Sequence, residues 1–244
     1  NPEVIAAVSK LIYGLSMKEG SIANLQSSIP LLVNALSRTT DTNARYFAVL
    51  ALQTISMRED LVISSLEEIV VGLTPLLTQL NSEVSVYLDP DGIIGETVIL
   101  NTIAVTVRDA AVKEGISAVP LEAMVTPISA ALEKAESISS IIVITSLVTR
   151  TTNHPDVSFA SLEPAIVPLS NKLSDSQVDL TVSGALLAIE AKRVAEKAAE
   201  IVTPIVADVA SMSDIQIGEY LLYKLEKELP TLSTAEIEAL LPVL

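Results

Sequence analysis

The chain contains no cysteine and no tryptophan, and only two phenylalanines and five tyrosines among 244 residues. Without cysteine it has no disulfide, no thiolate metal ligand and no thiol nucleophile, which fits a cytoplasmic setting. Half of all residues are hydrophobic, so the interior must be built from aliphatic side chains. Glycine is also scarce, at eight residues, and an all-β fold with many tight turns is therefore not expected.

Long hydrophobic runs are missing as well. A membrane-spanning helix needs about 20 consecutive apolar residues. The apolar run 138–149 is too short, and the uncharged run 20–37 contains many polar side chains. The sequence therefore predicts no membrane partner.

Basic clusters are rare, because 30 acidic residues outnumber 15 basic ones and the net charge is −15. Only Lys192, Arg193 and Lys197 lie close together. Nucleic acid is bound through clustered lysine and arginine, so it is not an expected partner. The scattered acids keep an apolar chain in solution and, as an alternative, would attract a basic partner protein.

A proline within an apolar, helix-like stretch recurs along the chain. The six prolines, 36 to 52 residues apart, are Pro30, Pro75, Pro127, Pro168, Pro204 and Pro242. Each follows a β-branched residue or leucine and precedes leucine, isoleucine or valine. A period in this range indicates a repeat architecture of stacked units.

After each proline helix comes a break and then a second apolar helix. The predicted second helices are 41–56, 95–110, 137–150, 176–191 and 214–228. Capping boxes predict helix starts at Ser65, Ser174, Ser213 and Ser233. Residues Pro2–Met17 and Ser233–Leu244 are predicted as half-units. We therefore expect an all-α fold, an α-α superhelix (solenoid) of about five helix pairs, as a single domain over residues 1–244.

The first unit resembles the HEAT repeat, a relative of the armadillo repeat. Its second helix carries Asp41, Arg45, Ala48 and the pair Ala51-Leu52 after the proline helix. The arginine occurs only in this unit, and the equivalent positions are Ser140, Asp179 and Gly218. The resemblance implies an interaction scaffold without catalysis, which binds a protein partner along a concave surface of second helices.

By this resemblance, partner contacts are expected at exposed positions of the second helices. The residues expected to make them are Arg45, Glu96, Arg108, Asp179 and Glu219. One alternative is a HEAT-like enzyme acting on nucleic acid, similar to a DNA glycosylase, although the net charge and the lack of tryptophan oppose it. Another is a self-assembling structural protein, a homo-oligomer that pairs through its apolar half-units.

Catalytic, cofactor and metal motifs are missing from the sequence. His154 is the only histidine, precedes Pro155 and has no nucleophile motif nearby. The long connection 81–94 contains Asp89 and Asp91, but its spacing around Gly92 fails the EF-hand pattern and favours a plain insertion or a partner contact. Phosphate-loop, dinucleotide, serine-hydrolase and zinc-protease motifs do not occur. No catalytic residue, cofactor or metal is predicted.

Overall fold

The computed structural model describes residues 1–18, 25–78, 96–173 and 177–209, together with Tyr223 and Lys227. Within these ranges the chain is all-α, with nine helices and no strand. The helices are α1 (Pro2–Ser16), α2 (Ile29–Arg38), α3 (Thr42–Ser56), α4 (Ile63–Leu77), α5 (Glu96–Ala111), α6 (Ala118–Lys134), α7 (Ile138–Thr152), α8 (Phe159–Lys172) and α9 (Asp179–Val209). The chain divides into two compact units, Asn1–Leu186 and Leu187–Leu244; a single solenoid domain over 1–244 stays a prediction.

Polar side chains cap several of these helices at the predicted breaks. The Asn1 Oδ1 atom accepts a hydrogen bond from the Glu3 N–H at 3.0 Å, which begins α1 as expected. Asp41 accepts the Ala44 N–H at 2.8 Å at the start of α3. Ser137 caps α7 in the same way. The helix starts read from these breaks are therefore confirmed to within a residue or two.

The capping box at Ser65 is wrong. Helix α4 begins at Ile63, so Ser65 lies inside the helix and is buried. The residues that mark this start are Leu61 before the helix and Leu66 in its first turn, both buried, as in a hydrophobic staple. The predicted starts at Ser174, Ser213 and Ser233, helix 214–228 and half-unit Ser233–Leu244 lie outside the described residues.

The recurring prolines occupy two kinds of position. Pro30 lies in the first turn of α2, not in its interior as expected; the missing N–H is tolerated there because it would have no partner within the helix. Interior positions hold Pro75 in α4, Pro127 in α6, and Pro164 and Pro168 in α8, and Pro204 lies within α9. In α4, α6 and α8 the residues four positions before these prolines are all exposed: Val71, Ala123, Ala160 and Pro164. Solvent can therefore reach the side of the helix on which each proline leaves a carbonyl without its donor.

Within the compact unit Asn1–Leu186 the helices pack in two rows. Neighbouring first helices contact one another in the order α2, α4, α6 and α8, and neighbouring second helices in the order α1, α3, α5 and α7. The rows are joined where α2 packs on α3, α4 on α5, and α6 on α7. The largest fully buried side chains are leucines and isoleucines, which confirms the expected aliphatic interior.

Candidate partner-binding face

Three neighbouring second helices expose equivalent positions. α3, α5 and α7 pack side by side, and each has a partly exposed stripe at three- and four-residue steps. Offsets of 55 residues from α3 to α5 and 41 residues from α5 to α7 bring these stripes into register. We name their central positions the second-helix face: Phe47, Leu50 and Thr54, Thr102, Val105 and Asp109, and Val143, Ser146 and Arg150.

The hydroxyl groups of this face are used within their own helices. Thr54 donates to the Leu50 carbonyl at 2.7 Å, and Thr102 donates to the Val98 carbonyl at 2.7 Å. Ser146 donates to the Val143 carbonyl at 2.8 Å. Because these donors are satisfied, the face presents mainly methyl and methylene groups to a partner.

Charge on the second-helix face is sparse. Arg108 and Asp109 form an ion pair with an Nη2–Oδ1 distance of 2.7 Å, and each side chain is about one-third exposed. Arg150 is exposed and has no ion pair among the described residues. The face therefore combines a charge-poor surface with a single uncompensated cation at one end.

A cavity of about 350 Å³ opens beside Arg150, where α5 and α7 end. We name it the notch. It is lined by Ala111, Val112, Lys113, Glu114, Gly115, Arg150, Asn153, His154 and Pro155. Lys113 and Arg150 thus lie at one small opening, and Glu114 is the one acidic residue in the described part of its lining.

The turns that follow α3 and α5 explain why Lys113 has no counter-ion among the described residues. In the turn after α3, Arg58 donates two hydrogen bonds to the Asp60 carboxylate, at 2.9 and 2.8 Å, and a third to the Lys18 carbonyl at 3.1 Å. The guanidinium of Arg58 lowers the pKa of Asp60 by this hydrogen bond. The same 55-residue offset matches Lys113 to Arg58 and Gly115 to Asp60. A carboxylate is therefore replaced by a glycine with φ of +89°.

His154 links two turns instead of facing a reaction site. Its Nε2 atom lies 3.0 Å from the Ile116 carbonyl oxygen, and its Nδ1 atom accepts the Asp156 N–H at 3.3 Å. Because a carbonyl only accepts, this arrangement requires the tautomer with hydrogen on Nε2. The side chain thereby holds one wall of the notch in place.

Of the five residues expected to contact a partner, the structure describes the side chains of three. Arg45 is buried, with 7% of its surface exposed, so it does not belong to the exposed surface of α3. Arg108 is on the solvent side of α5, in its ion pair with Asp109. Asp179 is exposed at the first turn of α9 and accepts a hydrogen bond from Ser183 at 3.3 Å. Glu96 begins α5 but its side chain is not described, and Glu219 and the connection 81–94 lie outside the described residues.

Two serine–glutamate contacts, each made of two long-range hydrogen bonds, join neighbouring first helices, and sequence reasoning missed both. Ser117, before α6, donates its N–H and its hydroxyl to Glu67 Oε1 at 2.9 and 2.6 Å. Ser158, before α8, does the same to Glu122 Oε1 at 2.8 Å in both bonds. Each glutamate is the fifth residue of its helix.

A short sequence signal marks the glutamate in each of these serine–glutamate contacts. Leu-Glu forms the fourth and fifth residues of three first helices, as Leu66-Glu67, Leu121-Glu122 and Leu162-Glu163, although the same dipeptide also occurs at 132–133 and 225–226. This signal gives the glutamate's place in the repeat, but the serine partner is 36 to 50 residues away.

Comparisons with protein-family models, with curated proteins and with solved structures gave no match. Among the described residues, no helix is both long enough and apolar enough to cross a membrane. In the same ranges, histidines and acidic residues nowhere gather in a group of three that could hold a metal ion.

On the second unit, Arg193 pairs with Glu190 at an Nη2–Oε1 distance of 2.6 Å. The basic cluster that includes Lys192 and Lys197 is therefore partly neutralised on its own helix.

Proposed function

We propose that the compact unit Asn1–Leu186 is a HEAT-like solenoid that binds an extended segment of a partner protein along the second-helix face. The segment is aliphatic over most of its length and places one acidic group in the notch. The chain acts as a scaffold, without a reaction of its own.

The order of helix packing supports the solenoid part of this proposal. First helices contact first helices and second helices contact second helices, in chain order, over three helix pairs and the flanking helices α1 and α8. In a stacked array each unit buries its apolar surface against its neighbours, and equivalent positions repeat along one side. The matching stripes on α3, α5 and α7 are such equivalent positions.

The chemistry of the face supports an aliphatic, weakly acidic partner more than a basic one. Its hydroxyls are already bonded and its two adjacent charges neutralise each other. The remaining cations, Arg150 and Lys113, meet at the notch. A carboxylate placed there would form charge-assisted hydrogen bonds, which are stronger than bonds between neutral groups.

The proposed contacts keep one predicted residue and replace another. Arg108 remains, because its guanidinium pairs with Asp109 of the face at 2.7 Å on the exposed side of α5. Phe47 and Leu50 take the place of buried Arg45 on α3. Glu96, Asp179 and Glu219 stay predictions.

The experiment is a peptide selection that counts only peptides sensitive to the face. A random peptide library is selected on the whole protein, and the selected peptides are measured by calorimetry against Leu50→Asp/Val105→Asp and against Lys113→Glu/Arg150→Glu. We expect each double variant to weaken binding at least about tenfold, or about 1.4 kcal/mol. Peptides that depend on Lys113 and Arg150 should share an acidic residue at one end and bind more weakly at high salt.

The matched control is Lys134→Glu, which reverses a charge on an exposed residue at the end of α6 that does not belong to the second-helix face or the lining of the notch. It should leave binding within a factor of two, and circular dichroism should show unchanged helicity in all variants. Selected peptides that are basic, or that bind both double variants as tightly as the original chain, would disprove the proposal.

A further inference from the structure

Helix α1 exposes an aliphatic stripe that resembles the interior of the protein. Val4, Val8, Leu11 and Leu15 are 57, 49, 63 and 49% exposed. Their spacing of four, three and four residues puts them on one side of the helix. α1 packs against α3 through a different side, on which Ser9 and Ser16 are buried.

An alignment of α1 with α3 and α5 shows which residues of those two helices are equivalent to this stripe. Met17 and Lys18 after α1 match Met57 and Arg58 after α3, an offset of 40 residues. With that offset, the four exposed residues of α1 correspond to Ala44, Ala48, Ala51 and Ile55 of α3, each 0% exposed. The matching positions of α5 are Ile99, Ile103, Thr106 and Ala110, also 0% exposed. The α1 stripe therefore occupies positions that are covered by other helices in the neighbouring units.

The stripe is complementary to a second copy of itself. If two α1 helices lie antiparallel and Val4 faces the partner's Leu15, then Val8 faces the partner's Leu11, and the two-fold axis repeats both contacts. Larger and smaller aliphatic side chains alternate across such a pair, which suits close packing. Beside the stripe, Ala7 and Gly14 are exposed and small, and a Cβ added at Gly14 would meet no atom within 4 Å.

Charges at the rim of the stripe complement the same antiparallel arrangement. Glu3 and Lys18 are both exposed, and they lie on the same side of the stripe. In the antiparallel register, each Glu3 lies about 3 Å along the axis from the partner's Lys18, since a helix rises about 1.5 Å per residue. The ammonium of Lys10 is 5.5 Å from the Phe47 ring of its own chain, which keeps it away from the interface.

We propose that a second copy of this chain covers the α1 stripe, in a two-fold symmetric pair of antiparallel α1 helices. The contact is isologous, because the same surface serves both partners. It uses residues of α1 and none of the residues that define the second-helix face, so the pair presents two partner-binding faces.

Sedimentation of the whole protein over a wide concentration range, at physiological salt, tests the proposal. We expect a concentration-dependent dimer, and at least a tenfold weaker dimer for Val8→Asp/Leu11→Asp. The matched control is Leu31→Asp/Val71→Asp, which makes the same changes at residues that are 67 and 57% exposed on first helices. A protein that remains monomeric, or a control that weakens the dimer as much as the α1 variant does, would overturn the proposal.

Two further measurements test the register. Glu3→Lys and Lys18→Glu should each weaken the dimer, and combining them should restore it.

The chain has no cysteine, so mixed Val8→Cys and Leu11→Cys proteins should form a disulfide-linked heterodimer, whereas mixed Val4→Cys and Leu11→Cys proteins should form little. Equal cross-linking in both mixtures would disprove the antiparallel register. Peptides bound by the second-helix face should bind Val8→Asp/Leu11→Asp unchanged.

Discussion

Ser158 donates both its backbone N–H and its hydroxyl to a single oxygen of Glu122, each at 2.8 Å. The two residues are 36 positions apart and belong to neighbouring first helices. Ser117 and Glu67 repeat the arrangement one unit earlier. These bonds join the start of one first helix to the first turns of the preceding first helix. They therefore help to set how far these neighbouring helices are shifted along each other.

Glu122→Ala should lower the free energy of unfolding by about 1 to 2 kcal/mol, because it removes a charged acceptor from two partly buried donors. Urea denaturation measures this change. Glu163→Ala removes the equivalent fifth residue of α8, which is exposed, and should cost less than about 0.5 kcal/mol. A double-mutant cycle with Ser158→Ala should show coupling between Glu122 and Ser158; purely additive losses would contradict the hydrogen-bond explanation.

Acid should weaken the bond between Glu67 and Ser117. The Ser117 hydroxyl, and then its backbone N–H, lower the pKa of Glu67 from its ordinary value of 4.5. Because the folded-state pKa is below the unfolded one, the stabilisation is complete above the unfolded pKa and is lost as the pH falls through the folded value. Glu67→Gln should therefore show a smaller loss of unfolding free energy between pH 7 and about pH 3 than the original chain. Glu68→Gln, the same change at an exposed neighbour, should follow the original pH dependence; if the two variants have the same pH profile, the assignment is wrong.

Gly72→Ala should destabilise the first unit, because a Cβ at this position would lie 2.5 and 2.8 Å from the two γ-methyl groups of Val33. Helix α4 approaches α2 closely at this point, and β-branched Val33 has little rotamer freedom with which to move away. We expect a loss of about 1 to 3 kcal/mol in unfolding free energy, measured by thermal or urea denaturation. Adding Val33→Ala should recover part of the loss. Gly184→Ala, where no atom lies within 4 Å, should be neutral or stabilising by up to about 1 kcal/mol; a similar loss there would point to a general effect of removing glycine.

Pro75→Ala should raise the free energy of unfolding by about 1 to 3 kcal/mol, since alanine restores a backbone N–H in the interior of α4. Pro30→Ala is the matched change in a first turn, where proline is favourable, and it should leave stability the same or slightly lower. Denaturation of both variants under identical conditions measures the difference. A loss of stability in Pro75→Ala would contradict the view that this interior proline costs the helix free energy.

The helical content and the aliphatic interior were readable from the sequence, because both depend on local spacing. Apolar residues at three- and four-residue steps, with polar caps such as Asp41, predict where α3 begins and which side is buried. The same local pattern misled at Ser65, where two residues in capping-box spacing lie inside α4. It also predicted an end to α9 near residue 191, whereas the helix continues to Val209 without a break.

The sequence by itself determined that the described part of this chain is all-α, with apolar helices and an interior without tryptophan or disulfides, because composition and periodicity act within one helix. Only the tertiary structure decided that Arg45 is buried, that Lys113 and Arg150 meet at one cavity, and that Glu122 bonds Ser158. Those outcomes depend on how far each helix is shifted and rotated against a neighbour 36 to 55 residues away in the chain, and that geometry is set by side-chain packing between helices, which local spacing does not specify.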